Sequence, residues 1–347
     1  MKSQKLLDCS IGGISLEIRA QSSLIEMMMP LRSKLADFPS PIPSDLLLNI
    51  IVPSEETLRP ARAGEKTSIR KNLFQLIPVK ASDIPPTKHL RKRLDSLSEF
   101  SLPDDFFTRL GKTGHRISLV SFDNGFLLTD MNKGDCYLLL DTPPQNQGPA
   151  RKDHWSNKVN ITVLNSIMAL LSLCLSVQGG VLAHGVGVKR EKEGFLFLAP
   201  SDGGKTTLST HCSEGEVLAD DGVIIRKNSD NYKLFATPFR QRPGGEIHRW
   251  KWSLEPIPLK AVFVLGKGEK TSISRIPRAN LINILLGSFT HFFSWMDGRQ
   301  AKLVFDFWYE LSLKLPIAKL NWRPDVTFWP EVNSFINEVN RNDFKEG

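Results

Sequence analysis

Apolar positions recur along the chain with two periods, and they divide it. Ile11–Ala20 alternates, with Ile14, Leu16 and Ile18 on one face, as a half-buried strand requires. Leu46–Val52 is an apolar, β-branched-rich run that predicts another strand. Ile117–Phe122, Phe126–Met131 and Cys136–Asp141 predict three more, joined at Asp123-Asn124-Gly125 and Asn132-Lys133-Gly134. The Asn-Gly and Lys-Gly pairs supply the positive φ that tight hairpins need, so these three form a meander. Thr142–Ala150, with Pro143, Pro144, Gly148 and Pro149, reads as a linker. The expected organisation is a small α+β module over residues 1–150, followed by a second domain over 151–347.

The second part interleaves helices with strands. A long helix is expected over Val159–Val177, then strands Val181–Val188 and Phe195–Ala199 around the charged turn Lys189–Gly194. A short helix starts at Lys205, and a strand over Val217–Arg226 carries Asp220 and Asp221. A strand at Ala261–Leu265 and an amphipathic helix near Arg278–Leu286 complete an α/β core. The apolar stretch Ile161–Val177 is interrupted by Asn165 and several serines and runs into Gly179-Gly180, which fits a buried core helix rather than a membrane span.

Composition narrows the field modestly. With 347 residues, 41% hydrophobic and 24% charged, the chain has the profile of a globular protein. Its net charge of +8 suits an anionic ligand without choosing one. The basic stretch Ser54–Ser98 holds Phe74 as its only aromatic residue, so bases would find almost no stacking platform. It reads as a solvated linker or helix face, and no nucleic-acid partner is expected. Cys9, Cys136, Cys174 and Cys212 are widely spaced, which indicates neither a zinc site nor a disulfide framework and places the chain in a reducing cytoplasm.

The chemistry concentrates between Phe195 and Leu208. There an apolar strand runs through Ala199-Pro200-Ser201-Asp202-Gly203-Gly204-Lys205-Thr206-Thr207 into a helix. Glycines at 203 and 204 let successive N–H groups turn toward phosphate oxygens, and the helix start adds partial positive charge. Lys205 can reach the β- and γ-phosphates of ATP, and the Thr206 hydroxyl can ligate Mg²⁺. A Gly-Lys-Ser/Thr triplet arises by chance in roughly one chain in six of this length. The strand before it and the helix after it therefore carry the assignment. Ala199 stands where the usual pattern has glycine, which costs on the order of 1 kcal/mol if that position requires positive φ.

Two features flank this loop. His184-Gly185 lies in the preceding strand, where a lone histidine is most simply a hydrogen-bonded core residue. Asp220 and Asp221 sit within an apolar strand, and a buried carboxylate without a partner is costly. A magnesium ion or a substrate hydroxyl beside them resolves that cost.

The order of His-Gly strand, hairpin, phosphate loop, short helix and Asp-Asp strand resembles the catalytic domain of HPr kinase/phosphorylase, whose nucleotide core the phosphoenolpyruvate carboxykinases share. The likeness runs from about Gly180 to Arg226. A looser one continues through Ala236-Thr-Pro-Phe239 and Pro258–Leu265, and this stretch resembles the small HPr-kinase-like proteins of peptide-modification gene clusters, the SynChlorMet cassette type among them. The resemblance implies an HPr-kinase-like P-loop domain using ATP and Mg²⁺. Ser201 to Thr207 would bind nucleotide, His184 would line the reaction site, and Asp220 and Asp221 would divide between activating an acceptor hydroxyl and holding metal. It leaves Glu246, after Gly244-Gly245, as the stand-in for a metal-binding glutamate, and Arg240, Arg242 and Arg249 as complements to phosphate charge. The implied activity is ATP-dependent phosphoryl transfer to a Ser or Thr hydroxyl of a peptide or protein. The rivals are a nucleotide-binding scaffold and a small-molecule kinase.

Overall fold

The computed structural model of the chain describes residues 3–40, 45–51, 117–122, 125–130, 134–140, 149–199, 203–212, 214–229, 231–239, 254–290, 292–293, 296–324 and 327–343. The basic stretch Ser54–Ser98, loop residues Ser201 and Asp202, and Arg240, Arg242, Glu246 and Arg249 lie outside them. So does the expected linker, apart from Pro149 and Ala150, which open a helix. The chain divides into two compact units, residues 1–10 with 14–167, and 11–13 with 168–347.

The first unit holds a mixed six-stranded sheet. Strands β1 (Ser3–Ile11) and β2 (Ile14–Gln21) are neighbours, so the strand expected over Ile11–Ala20 begins only after Gly12-Gly13. Those two glycines break the alternation and turn the chain. Short helices α1 (Ser22–Ile25) and α2 (Met29–Leu35) follow, then β3 (Leu46–Ile51), which lies parallel to β2. Strands β4 (Ile117–Phe122), β5 (Gly125–Asp130) and β6 (Asp135–Leu140) form the expected antiparallel meander, and β6 adds in parallel to β3. Ile14, Leu16, Ile18, Leu48, Ile50 and Leu138 are fully buried, as their period-2 spacing requires.

Helix α3 (Pro149–Val177) is ten residues longer at its N-terminal end than its apolar run, which starts at Val159, suggests. It is long and apolar enough to cross a membrane by composition, yet that apolar window is mostly buried within the protein. Through residue 167 it belongs to the first unit, where Asn160 Nδ2 donates to the Met27 carbonyl at 3.2 Å. From Met168 onward it belongs to the second.

In the second unit β7 (Gly180–Arg190) pairs antiparallel with β8 (Glu193–Leu198), which leads through the loop to α4 (Lys205–His211). Next come β9 (Glu216–Ala219), β10 (Gly222–Asn228) and β11 (Asn231–Phe235). Then follow β12 (Ile257–Lys267), β13 (Ser272–Arg275), α5 (Arg278–Phe289), α6 (Gly298–Lys314), β14 (Ile317–Trp322) and α7 (Trp329–Asp343). The sheet order is β11-β10-β7-β8-β12-β14-β13, with β8, β12 and β14 mutually parallel. β11 also pairs with the start of β12, closing the run from β10 to β12 on itself.

One core cluster joins Val186, Val188, Phe195, Phe197, Leu208, Val217, Phe263 and Leu320 to Phe328, Trp329 and Val332. α4 and α7 are thereby fixed against the sheet. Arg190 binds the same corner: its guanidinium lies 4.6 Å from the Trp329 ring centre and donates to Asn333 Oδ1 at 2.8 Å and Glu214 Oε2 at 3.0 Å. The end of α4 is thus tied to α7.

None of the four cysteines forms a disulfide, and all are buried. Burial, with the Glu214 charge second, pushes the Cys212 thiol up to about 12. Native protein at pH 8 should therefore alkylate with iodoacetamide at Cys212 at least about a hundredfold more slowly than unfolded chain. Mass spectrometry of quenched samples checks this. Because the folded value is raised, the stability it contributes is full below the free-thiol value of 9.0 and declines as pH rises from there toward about 12.

Candidate functional site

The sheet places loop and aspartates on either side of one residue. At the end of β8, Leu198 pairs with Gly185 of β7, while on the opposite edge the Gly185 N–H donates to the Asp221 carbonyl at 3.1 Å. The loop mouth and the aspartates therefore stand two strand spacings apart, about 10 Å. Gly185 is required there by contact. A Cβ built on it would lie 2.7 Å from the Phe197 carbonyl oxygen, a backbone atom that cannot swing aside. Gly185→Ala should destabilise the protein by about 1–3 kcal/mol, the usual cost of overpacking. Urea unfolding of the two proteins measures it.

The expected continuous strand over Val217–Arg226 is broken. β9 and β10 both pair with β7, but Asp220 and Asp221 occupy a bend between them. Two adjacent carboxylates cannot both be accommodated on one face of a regular strand, and the bend removes that constraint. Asp220 is 5% exposed, so it is buried as a charge-bearing group seldom is. Asp221 Oδ1 lies 3.1 Å from His184 Nε2, with both side chains mostly buried. Alternation along β7 puts His184 on the face of Val186 and Val188, which Leu208 of α4 covers. Strand pairing thus brings His184 to Asp221, with Asp220 next to it in the chain.

The described end of the loop enters α4 through a left-handed glycine. Gly204 sits at the N-cap of α4 with φ +93°, a conformation alanine resists. Space is not the reason, since a Cβ there would come no nearer than 3.9 Å to the Trp322 ring. Lys205 is 4% exposed and its Nζ donates to the Ala199 carbonyl at 3.0 Å, spanning the loop it closes. Among the described residues the non-glycine positions with positive φ are Glu191, Ser229 and Phe292, so the expected penalty at Ala199 does not arise. Thr206 and Thr207 lie half-buried in the first turn of α4.

The family model for SynChlorMet cassette protein ScmC matches residues 151–337. The chain belongs to that family. No curated protein matches it. The matched span contains α3 from its first turn, the loop, the aspartate bend and most of α7, so the whole constellation lies inside the family's own domain.

Whether the constellation suits a magnesium nucleotide turns on its donor set. Among the described residues no three His, Cys, Asp or Glu side chains gather into a metal cage. Magnesium with a nucleotide does not need one, since it is held by one or two carboxylates, substrate phosphates and water. The set offers one buried ammonium, a threonine hydroxyl beside it, and two carboxylates beyond β7, two strand spacings from the loop. These residues fit.

Two supporting residues escaped the sequence. Trp322, at the end of β14, underlies Gly204, and no local pattern announced it. Thr237 is fully buried beside the bend, and the Thr-Pro step in Ala236-Thr-Pro-Phe239 was its only signal.

Proposed function

We propose that the chain is an HPr-kinase-like, ATP-dependent phosphotransferase whose acceptor is a Ser or Thr hydroxyl of a peptide or protein. The observation that carries this reading is the pairing across Gly185, with the end of β8 that leads into the glycine-lysine loop on one side and, on the other, the Asp220-Asp221 bend, whose Asp221 meets His184 of β7. Magnesium bound with ATP would neutralise the terminal phosphates and favour their transfer.

The remaining roles belong to the chain. The N–H groups at Gly203, Gly204 and the start of α4 would meet the phosphates. Lys205 would exchange the Ala199 carbonyl for a phosphate oxygen, and Thr206 and Asp221 would hold the metal. Asp220 accepts the acceptor hydroxyl proton as the new O–P bond forms and the bond to the ADP oxygen breaks. His184, hydrogen-bonded to Asp221, fixes the orientation of that carboxylate. Four buried cysteines outside any disulfide support a reducing, cytoplasmic setting.

The test is direct. Purified protein is incubated with Mg·ATP and the peptides encoded beside its gene, and the products are read by mass spectrometry. A peptide gaining one phosphoryl group on Ser or Thr is the expected result. Phosphorylation of a free amino acid instead would make it a small-molecule kinase.

A further inference from the structure

The segment after β11 does more than connect strands. Thr237 is fully buried, and two of its polar contacts reach the backbone on either side of the aspartate bend. Its N–H donates to the Leu218 carbonyl at 3.4 Å, two residues before Asp220. Its hydroxyl donates to the carbonyl of Gly222, the residue after Asp221, and accepts the Phe239 N–H at 3.3 Å. One side chain and its own amide therefore grip the backbone on both sides of the carboxylate pair. Phe239 completes the strap. A Cβ on Gly222 would lie 3.1 Å from its ring, so the ring packs directly on the backbone of the bend.

We infer that Thr237 is a positioning residue, strapping Ala236–Phe239 across the bend so that Asp220 and Asp221 are held in one orientation. The inference rests on the phosphotransfer reading for its consequence and on the hydrogen bonds alone for its geometry. A bend between two strands departs from the regular ladder, and its backbone on both sides needs hydrogen-bond partners. Thr237 supplies substitutes: its hydroxyl acts as donor and acceptor at once, which valine of the same shape cannot do. Serine keeps the hydroxyl and loses only the methyl group.

The test compares Thr237→Val with Thr237→Ser at a temperature where circular dichroism shows both fully folded. Backbone hydrogen exchange is the first readout, because the Gly185 N–H bonds directly to the Asp221 carbonyl. In Thr237→Val the Gly185 amide should exchange at least about tenfold faster while Val188, further along β7, is unchanged. Thr237→Ser should retain protection at both. Equal protection of Gly185 in all three proteins overturns the strap, whether or not the protein turns over ATP. Steady-state ADP formation from Mg·ATP in the presence of the acceptor peptide is the second readout. The valine variant should lose at least about tenfold in kcat with KM for Mg·ATP within about threefold, and serine should restore kcat. A loss confined to KM, or one that serine does not rescue, overturns the positioning role. A wild type without turnover would count against the phosphotransfer reading, and hydrogen exchange would then decide the strap.

Discussion

Lys205→Ala is expected to weaken Mg·ATP binding by about ten- to a hundredfold. Among the described residues the strand-loop-helix geometry sets the Lys205 ammonium against the loop, and a hydrogen bond to a charged group contributes about 1.5–3 kcal/mol. In the ligand-free protein the Lys205 Nζ already has a partner, the Ala199 carbonyl at 3.0 Å. Binding therefore exchanges one hydrogen bond for a charge-assisted pair, and the lysine arrives from an ordered position. Calorimetry on both proteins measures the difference, and equal affinities would remove the phosphate-loop assignment. Ala199→Gly serves as the companion. Its backbone needs no left-handed conformation, so affinity should stay within about threefold of the parent.

Asp220→Asn is expected to keep Mg·ATP binding and lower phosphoryl transfer by about a hundredfold or more, the usual contribution of a positioned general base. The amide has nearly the same shape and cannot accept the acceptor proton. Asp221→Asn should act differently. It should raise the Mg²⁺ concentration needed for half-maximal turnover, and it changes the partner of the His184 Nε2 atom 3.1 Å away. Initial rates across a magnesium titration, with each variant and the parent, separate the two roles. Transfer left intact in both variants, or absent from the parent with every acceptor tried, makes the protein a nucleotide-responsive scaffold.

The loop was legible in the sequence because its requirements are local. Positive φ at Gly204, a buried strand before it and a helix after it are each written in a few consecutive residues. The β4–β6 meander was legible for the same reason, through its hairpin glycines. The break at Asp220-Asp221 was not, because apolar residues on both sides made Val217–Arg226 read as one strand. The signal was Gly222, which follows two carboxylates and leaves room for Phe239. Least legible were β13, β14, α6 and α7. Their places depend on parallel pairing such as Val262 with Ile317, more than fifty residues away, and on aromatic packing by Trp329 and Phe328. No short pattern encodes such a partner. His184 lay between these cases. Alone it read as a core residue, and only the pairing of β7 with β10 brings Asp221 to its ring.

The flanking of the aspartate bend by β9 and β10 has a thermal consequence. A pair of acids carried on a free loop would lose its orientation on warming well before the sheet melts. Here both ends of the bend are anchored to β7, so the entropy of aligning the carboxylates is spent during folding rather than at each encounter with substrate. On the phosphotransfer reading, heat inactivation then coincides with cooperative melting of the sheet, and the protein holds its catalytic competence up to the edge of its own stability.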